Sequence, residues 1–231
     1  MKDWFPLTSY DFYAYLTAGM IAIAAYDHAF MASALAGQAQ WTVAAGVFWI
    51  AIAYLAGQII AIPASGLLEH LIARRLLRAP AALLLGTSRP RWREKFVAVV
   101  FSAREYQPFP TPNRDSMRAK AAKQLGVDKA SVTAEAAFQA AFPHARSVPD
   151  SATRLDNFIN QYGMCRNVSF ACLLAGMMLW IAAAKAPTGQ NIALCAGAFL
   201  LAIGLFGRFL KFYAAYAREV LRTFDKVAPA P

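Results

Sequence analysis

"WTVAAGVFWIAIAYLAGQIIAI", residues 41–62, contains no charged side chain. At about 1.5 Å of helical rise per residue, such a run is long enough to cross a hydrocarbon core about 30 Å thick. Three more segments are long and predominantly apolar: residues 13–35, 166–186 and 190–212. The links between the first two, "AGQAQ", and the last two, "KAPTGQ", are short, so each pair reads as a hairpin of neighbouring antiparallel helices. The expected fold is an all-α membrane protein: four transmembrane helices in two hairpins, with a small helical cytoplasmic domain.

Composition agrees with that class. Of the 231 residues 58% are hydrophobic and 16% charged, whereas soluble domains carry about 25% charged residues. The N-terminal stretch "MKDWFPLTSYDFYAYL" has one Lys, two acids and no small-residue cleavage site, so the first helix is expected to be retained rather than removed as a signal peptide. Cys165, Cys172 and Cys195 show no CxxC or Cys/His ligand spacing and read as reduced thiols, with no metal site and no cofactor.

Direction follows from Lys and Arg. One basic residue precedes the first span, sixteen lie between Arg74 and Arg166, five follow from Arg208, and only Lys185 falls in the short links. The positive-inside rule then places the N-terminus, the central segment and the C-terminus in the cytoplasm of a bacterial inner-membrane, multi-pass protein. Trp4 and Trp41 suit interfacial anchors. After Pro63, "ASGLLEHLIARRLL" keeps an apolar helical face, and "RFLKFYAAYAREVLRTF" does the same beyond the last span, so both helices are expected to continue past the membrane, the former kinked at Pro63.

Small residues recur every fourth position at Ala53, Gly57, Ala61 and Ser65, again at Ala25, Ala29, Ser33 and Gly37, and at Ala193 and Gly197. Such stripes let helices approach closely, within one chain or between copies. Four slender helices enclose little space, so a pore would need a homo-oligomer.

Asp27 and His28 stand side by side within the first apolar run, about 12 Å from its outer end at 1.5 Å per residue. An ionised group at such depth costs several kcal/mol unless something answers it. Neighbouring positions in the other spans offer no cation, and Gln58 lies deeper toward the cytoplasm. Asp27 is therefore expected to be neutral, hydrogen-bonded to a group such as His28 or Tyr26 of its own or another chain, or wetted by an aqueous cavity. A packing role and a cation or proton pathway lined by Asp27, His28, Tyr26 and Gln58 both remain open here.

The organisation expected is a hairpin with its extension over 1–78, a basic cytoplasmic domain over 79–162, and a second hairpin with its extension over 163–231. Within the middle part, "SMRAKAAKQLG" reads as a helix capped by Ser116 and ended by Gly126, "SVTAEAAFQAAF" as another, and "DSATRLDNFINQYGMCRNVSF" as a helix running into the third span. "KFVAVVFS" fits a strand or a buried helical turn. Proline-punctuated and polar, this part should hold no large core of its own and should lean on the helix extensions or on other copies. Basic clusters at Arg89, Arg91, Trp92, Arg93 and Lys95, and at Arg114, Arg118, Lys120 and Lys123, suit anionic membrane lipids or an oligonucleotide or nucleotide ligand. His28, His70 and His144 form no HxxxH or HExxH, and no GxSxG, P-loop or dinucleotide fingerprint is present, so catalysis is not expected.

The opening "SYDFYAYLTAG", the junction "NQYGMCRNVSF" with Tyr162, Arg166 and Asn167, and the tail "YAREVLRTF" resemble bacterial four-span proteins, some similar to membrane effectors of anti-phage defence, including the Hailong type. Thr17-Ala18-Gly19 departs from the Pro-Gly pair of that pattern. The resemblance implies an ion channel controlled by an oligonucleotide that a nucleotidyltransferase makes. Combined with the residues, it leads to an oligomeric inner-membrane channel or pore-forming effector under the control of an anionic cytoplasmic ligand. The alternative is a membrane scaffold that anchors a cytoplasmic partner protein and transports nothing; a lipid-modifying enzyme is the third and weakest.

Overall fold

The computed structural model of the protein describes residues 12–87, Trp92, Lys95 and 104–227. Among these every regular element is helical. Helix α1 (Thr17–Phe30) follows a π-helical turn, Phe12–Leu16; α2 (Val43–Ala64) continues as a π-helical segment, Ser65–Leu76; α3 is Pro80–Leu84, α4 Thr111–Leu125, α5 Ala134–Ser147, α6 Pro149–Lys185 and α7 Gly189–Val227. Three helical stretches, Val43–Leu84, Pro149–Lys185 and Gly189–Val227, are long and apolar enough to cross a membrane. On α2 the side chains of Val43, Val47, Phe48, Leu55, Ile59 and Ile62 are all exposed. So much contiguous apolar surface fits lipid or another protein surface, not water.

The chain divides into two compact units, one of Met1–Leu71 with Gly163–Phe209, the other of Ile72–Tyr162 with Leu210–Pro231. The breaks between the units fall at 71/72, 162/163 and 209/210, so the last 22 residues group with the middle part of the chain. Trp4, and all of "KFVAVVFS" except Lys95, lie outside the described residues.

In the first unit α1 lies directly against α2. A Cβ on Gly19 would land on the carbonyl oxygen of Ala53, and one on Gly57 on that of Tyr15, so the two backbones touch where neither residue has a side chain. The expected stripe on α2 holds at Ala53 and Gly57 but passes to Ile60 and Ala64 instead of Ala61 and Ser65. With 3.6 residues per turn, a strict four-residue repeat drifts about 40° per step off a straight contact. On α1 the close approach is at Gly19; Ser33 and Gly37 lie beyond the helix, and among the described residues nothing lies within 4 Å of a Cβ placed on Gly197. Ala25 packs on Ala175 and Leu179 of α6. Ser169 donates to the Ala202 carbonyl at 2.7 Å, tying α6 to α7.

Pro63 is accommodated inside α2, and two residues later the turns widen to i→i+5. A proline supplies no N–H to the carbonyl four residues back, and a wide turn is one way to recover the lost register. His70 Nδ1 donates to the Ser65 carbonyl at 3.0 Å across that wider turn.

The second unit has a core after all. Leu84, Leu85, Met117, Leu155, Leu221 and Phe224 are buried together with the alanine faces of α4 and α5. Its share from α7 is the expected support from a helix extension. The expected cap at Ser116 is not formed: α4 starts at Thr111 behind Pro110, and Ser116 donates instead to Asp225 at 2.8 Å. Gly126, at φ 66°, closes α4 in the left-handed conformation as expected, and Thr133 caps α5 by accepting from the Ala136 amide at 3.1 Å.

Replacing Gly19 or Gly57 by Ala should force the α1–α2 contact apart and cost about 1–3 kcal/mol. Gly46→Ala and Gly204→Ala, where nothing among the described residues lies within 4 Å of the new methyl, should leave thermal unfolding in detergent unchanged or slightly raised.

Candidate functional site

Asp27 is the polar residue around which the end of α1 is built. The helix stops at Phe30, not at residue 35 as hydropathy suggests, and the next residues form turns. The Asp27 backbone carbonyl accepts from the amides of Met31 at 3.0 Å and Ser33 at 3.1 Å. Its side chain accepts from two more: Leu35 to Oδ1 at 2.9 Å and Ala36 to Oδ2 at 3.0 Å. Four amides of one returning segment thus converge on one residue, which is only 2% exposed. Ala32 and Ser33 sit in the left-handed region, φ 50° and 60°, a conformation that costs a non-glycine residue about 1–2 kcal/mol. The hydrogen bonds to Asp27 offset that cost.

The acid is therefore answered by backbone of its own chain, and neither His28 nor Tyr26 bonds to it among the described residues. His28 turns elsewhere. Asn191 gives its amide hydrogens to the Ala186 carbonyl, so Asn191 Oδ1 is the acceptor for His28 Nε2 at 2.9 Å, and His28 Nδ1 is left to face Ser33 Oγ at 3.3 Å. Tyr26 is exposed, its ring 5.2 Å from that of Phe30. Gln58 donates to the Tyr54 hydroxyl at 2.9 Å, one turn away on α2. Of the four residues expected to line a pathway, Asp27 and His28 border a common cleft that Tyr26 and Gln58 do not line.

A second polar cluster in the first unit escaped the sequence analysis as a site. Glu69 and Arg166 pair at 2.5 Å, with side chains 8% and 13% exposed, and Arg166 Nε donates to Asn167 Oδ1 at 3.2 Å. Asn167 is wholly buried, and its Nδ2 has no acceptor among the described residues. The only sequence signal was the junction "CRNVSF", where charge and amide interrupt an apolar helix.

Of the first basic cluster, Arg89, Arg91 and Arg93 lie outside the described residues, while Trp92 and Lys95 are exposed. The second cluster does not form one cationic face. Arg114 donates to Thr111 at 2.8 Å, and its guanidinium fills the space beside Gly86, which at φ 63° carries no side chain there. Lys120 bonds the backbone carbonyl of Asp225 and lies 3.7 Å from its carboxylate, which also accepts from Asn113 at 3.0 Å and Ser116. Arg118 is half-buried, its Nε without a partner among the described residues; Lys123 is exposed. Of these four, Lys120 thus helps to dock α4 on the end of α7. Nearby, Tyr106 donates to the Leu210 carbonyl at 3.1 Å, and burial pushes its phenol well above the usual tyrosine range, helped by Tyr213 and Glu105.

No group of three potential metal ligands occurs among the described residues. No protein-family model, curated protein or solved structure matches the chain.

Two sets of variants probe these clusters. Asp27→Asn should cost about 1–3 kcal/mol, because an amide nitrogen cannot accept and one buried N–H loses its partner. Ala32→Gly should be neutral or stabilising, opposite to the roughly 1 kcal/mol loss that glycine causes inside a helix. Glu69→Leu alone, leaving Arg166 buried and unpaired, should destabilise by about 3–5 kcal/mol, and adding Arg166→Met should restore most of it in a double-mutant cycle of thermal unfolding.

Proposed function

We propose that the protein is an oligomeric channel or pore-forming effector of the bacterial inner membrane, controlled by an anionic cytoplasmic ligand such as an oligonucleotide, as in the anti-phage defence proteins it resembles. Four spans in two hairpins, with both termini and the basic unit in the cytoplasm, is the topology that goes with this proposal. The observation that carries it is the partition of charge. The second unit holds 19 of the 23 Lys and Arg and 9 of the 13 Asp and Glu, so the entire +10 excess is there and the apolar-faced first unit is neutral. A membrane-compatible unit beside a cored, strongly cationic one divides the labour between a bilayer and a soluble anion. An ion path would run between copies, because the carboxylate of Asp27 is already engaged by Leu35 and Ala36.

That same engagement favours a second reading, a scaffold holding a cytoplasmic partner protein at the membrane with no transport activity. Neither reading requires catalysis.

Planar-bilayer recording separates them. Purified protein should conduct, and a mixed-sequence DNA decamer on the cytoplasmic side should change the current at least severalfold, less so at high salt. Absence of current with and without the decamer would remove the channel and leave the scaffold.

A further inference from the structure

The second unit contains a cavity of about 440 Å³ with a composition unlike the apolar clefts of the first unit. It is lined by Arg74, by Tyr162 of α6, by Tyr213 and Tyr216 of α7, and by Phe138 and Gln139 of α5 with Glu135 one turn earlier. The rings touch one another: Tyr162 lies 5.7 Å from Tyr213 and 6.1 Å from Tyr216, and Tyr216 lies 6.1 Å from Phe138, centroid to centroid. Tyr213 is buried, the other three rings are half-buried, and Arg74, Glu135 and Gln139 are exposed. Arg74 Nε donates to the Tyr213 hydroxyl at 3.2 Å, which holds the guanidinium along the aromatic wall.

Aromatic rings by themselves make a core, and polar side chains by themselves make a surface. Here a half-open aromatic wall shares one cavity with a cation, a carboxylate and a carboxamide. A ligand that uses all of them is flat, carries hydrogen-bonding edges and bears a negative charge. The volume suits a small molecule, within the roughly 300–1,000 Å³ of ordinary ligand pockets. Glu135 would repel an anion, so the charge belongs at Arg74 and the ring at α5. Gln139 can donate and accept along a base edge, Glu135 can accept from an exocyclic amine, and a base has a face for Tyr216 and Phe138.

We propose that this cavity binds one nucleotide unit, its base against Tyr216 and Phe138 with Gln139 and Glu135 at the edge, and its phosphate at Arg74. The proposal rests on the anionic-ligand reading above and gives that ligand a site.

The test is calorimetric titration of the full-length protein in detergent with 5′-AMP, ribose 5-phosphate and inorganic phosphate. AMP should bind at least tenfold more tightly than either baseless probe. Tyr216→Ala and Gln139→Ala should each weaken AMP about tenfold, while Tyr216→Phe, which keeps the ring, should bind as wild type. Thermal unfolding verifies that the variants fold, and if Tyr216→Ala does not, Gln139→Ala decides. Equal binding of AMP and phosphate, or wild-type affinity in folded Gln139→Ala and Tyr216→Ala, would overturn the assignment. Failure here is distinct from failure of the channel: AMP bound without any bilayer current leaves the cavity standing. A decamer that changes current equally in wild type and Tyr216→Ala removes the cavity and keeps the channel.

Discussion

A carboxyl group set within apolar sequence is a liability of several kcal/mol unless it finds donors, and Asp27 finds two in the amides of Leu35 and Ala36. With its backbone carbonyl holding Met31 and Ser33 as well, it ends α1, reverses the chain and fixes where α2 can begin. The Gly19–Ala53 and Gly57–Tyr15 contacts require that α1 and α2 lie backbone to backbone, and the turn at Asp27 is what delivers them to each other. His28 extends the arrangement to Asn191, at the start of α7.

The second unit answers a different constraint. Its charge cannot enter hydrocarbon, so its helices pack on a small core of their own, with Asp225 gathering Asn113, Ser116 and Lys120 to seat α4. Exposed ion pairs such as Lys129–Asp115 contribute little beside that core. The same packing leaves three tyrosines and an arginine lining a cavity.

Much of this architecture is legible in the sequence. Hydropathy runs longer than 18 residues locate α2, α6 and α7, and the apolar faces after Pro63 and Arg208 anticipate their continuations. The left-handed closure at Gly126 is readable because glycine alone adopts it cheaply. The end of α1 is not readable, because the left-handed positions are Ala32 and Ser33, neither a usual breaker, and the compensation comes from a carboxylate several residues earlier. The candidate site suffers for the same reason. Arg114 and Arg118, with Lys120 and Lys123 less well aligned, look like a cationic face on a helical wheel, yet Gly86 and Asp225, distant in sequence, draw Arg114 and Lys120 inward. Glu69 and Arg166 are 97 residues apart, and no local spacing announces that they pair.

Whether Asp27 is held by its own backbone is decided most directly by amide hydrogen exchange at Leu35 and Ala36 in wild type and Asp27→Ala. Slow exchange at both positions in wild type, lost in the variant while the amides of α6 stay protected, is what this account predicts. Fast exchange at the two amides in wild type, or protection that survives removal of the carboxylate, would contradict it and return the acid to a pathway or a neighbouring copy.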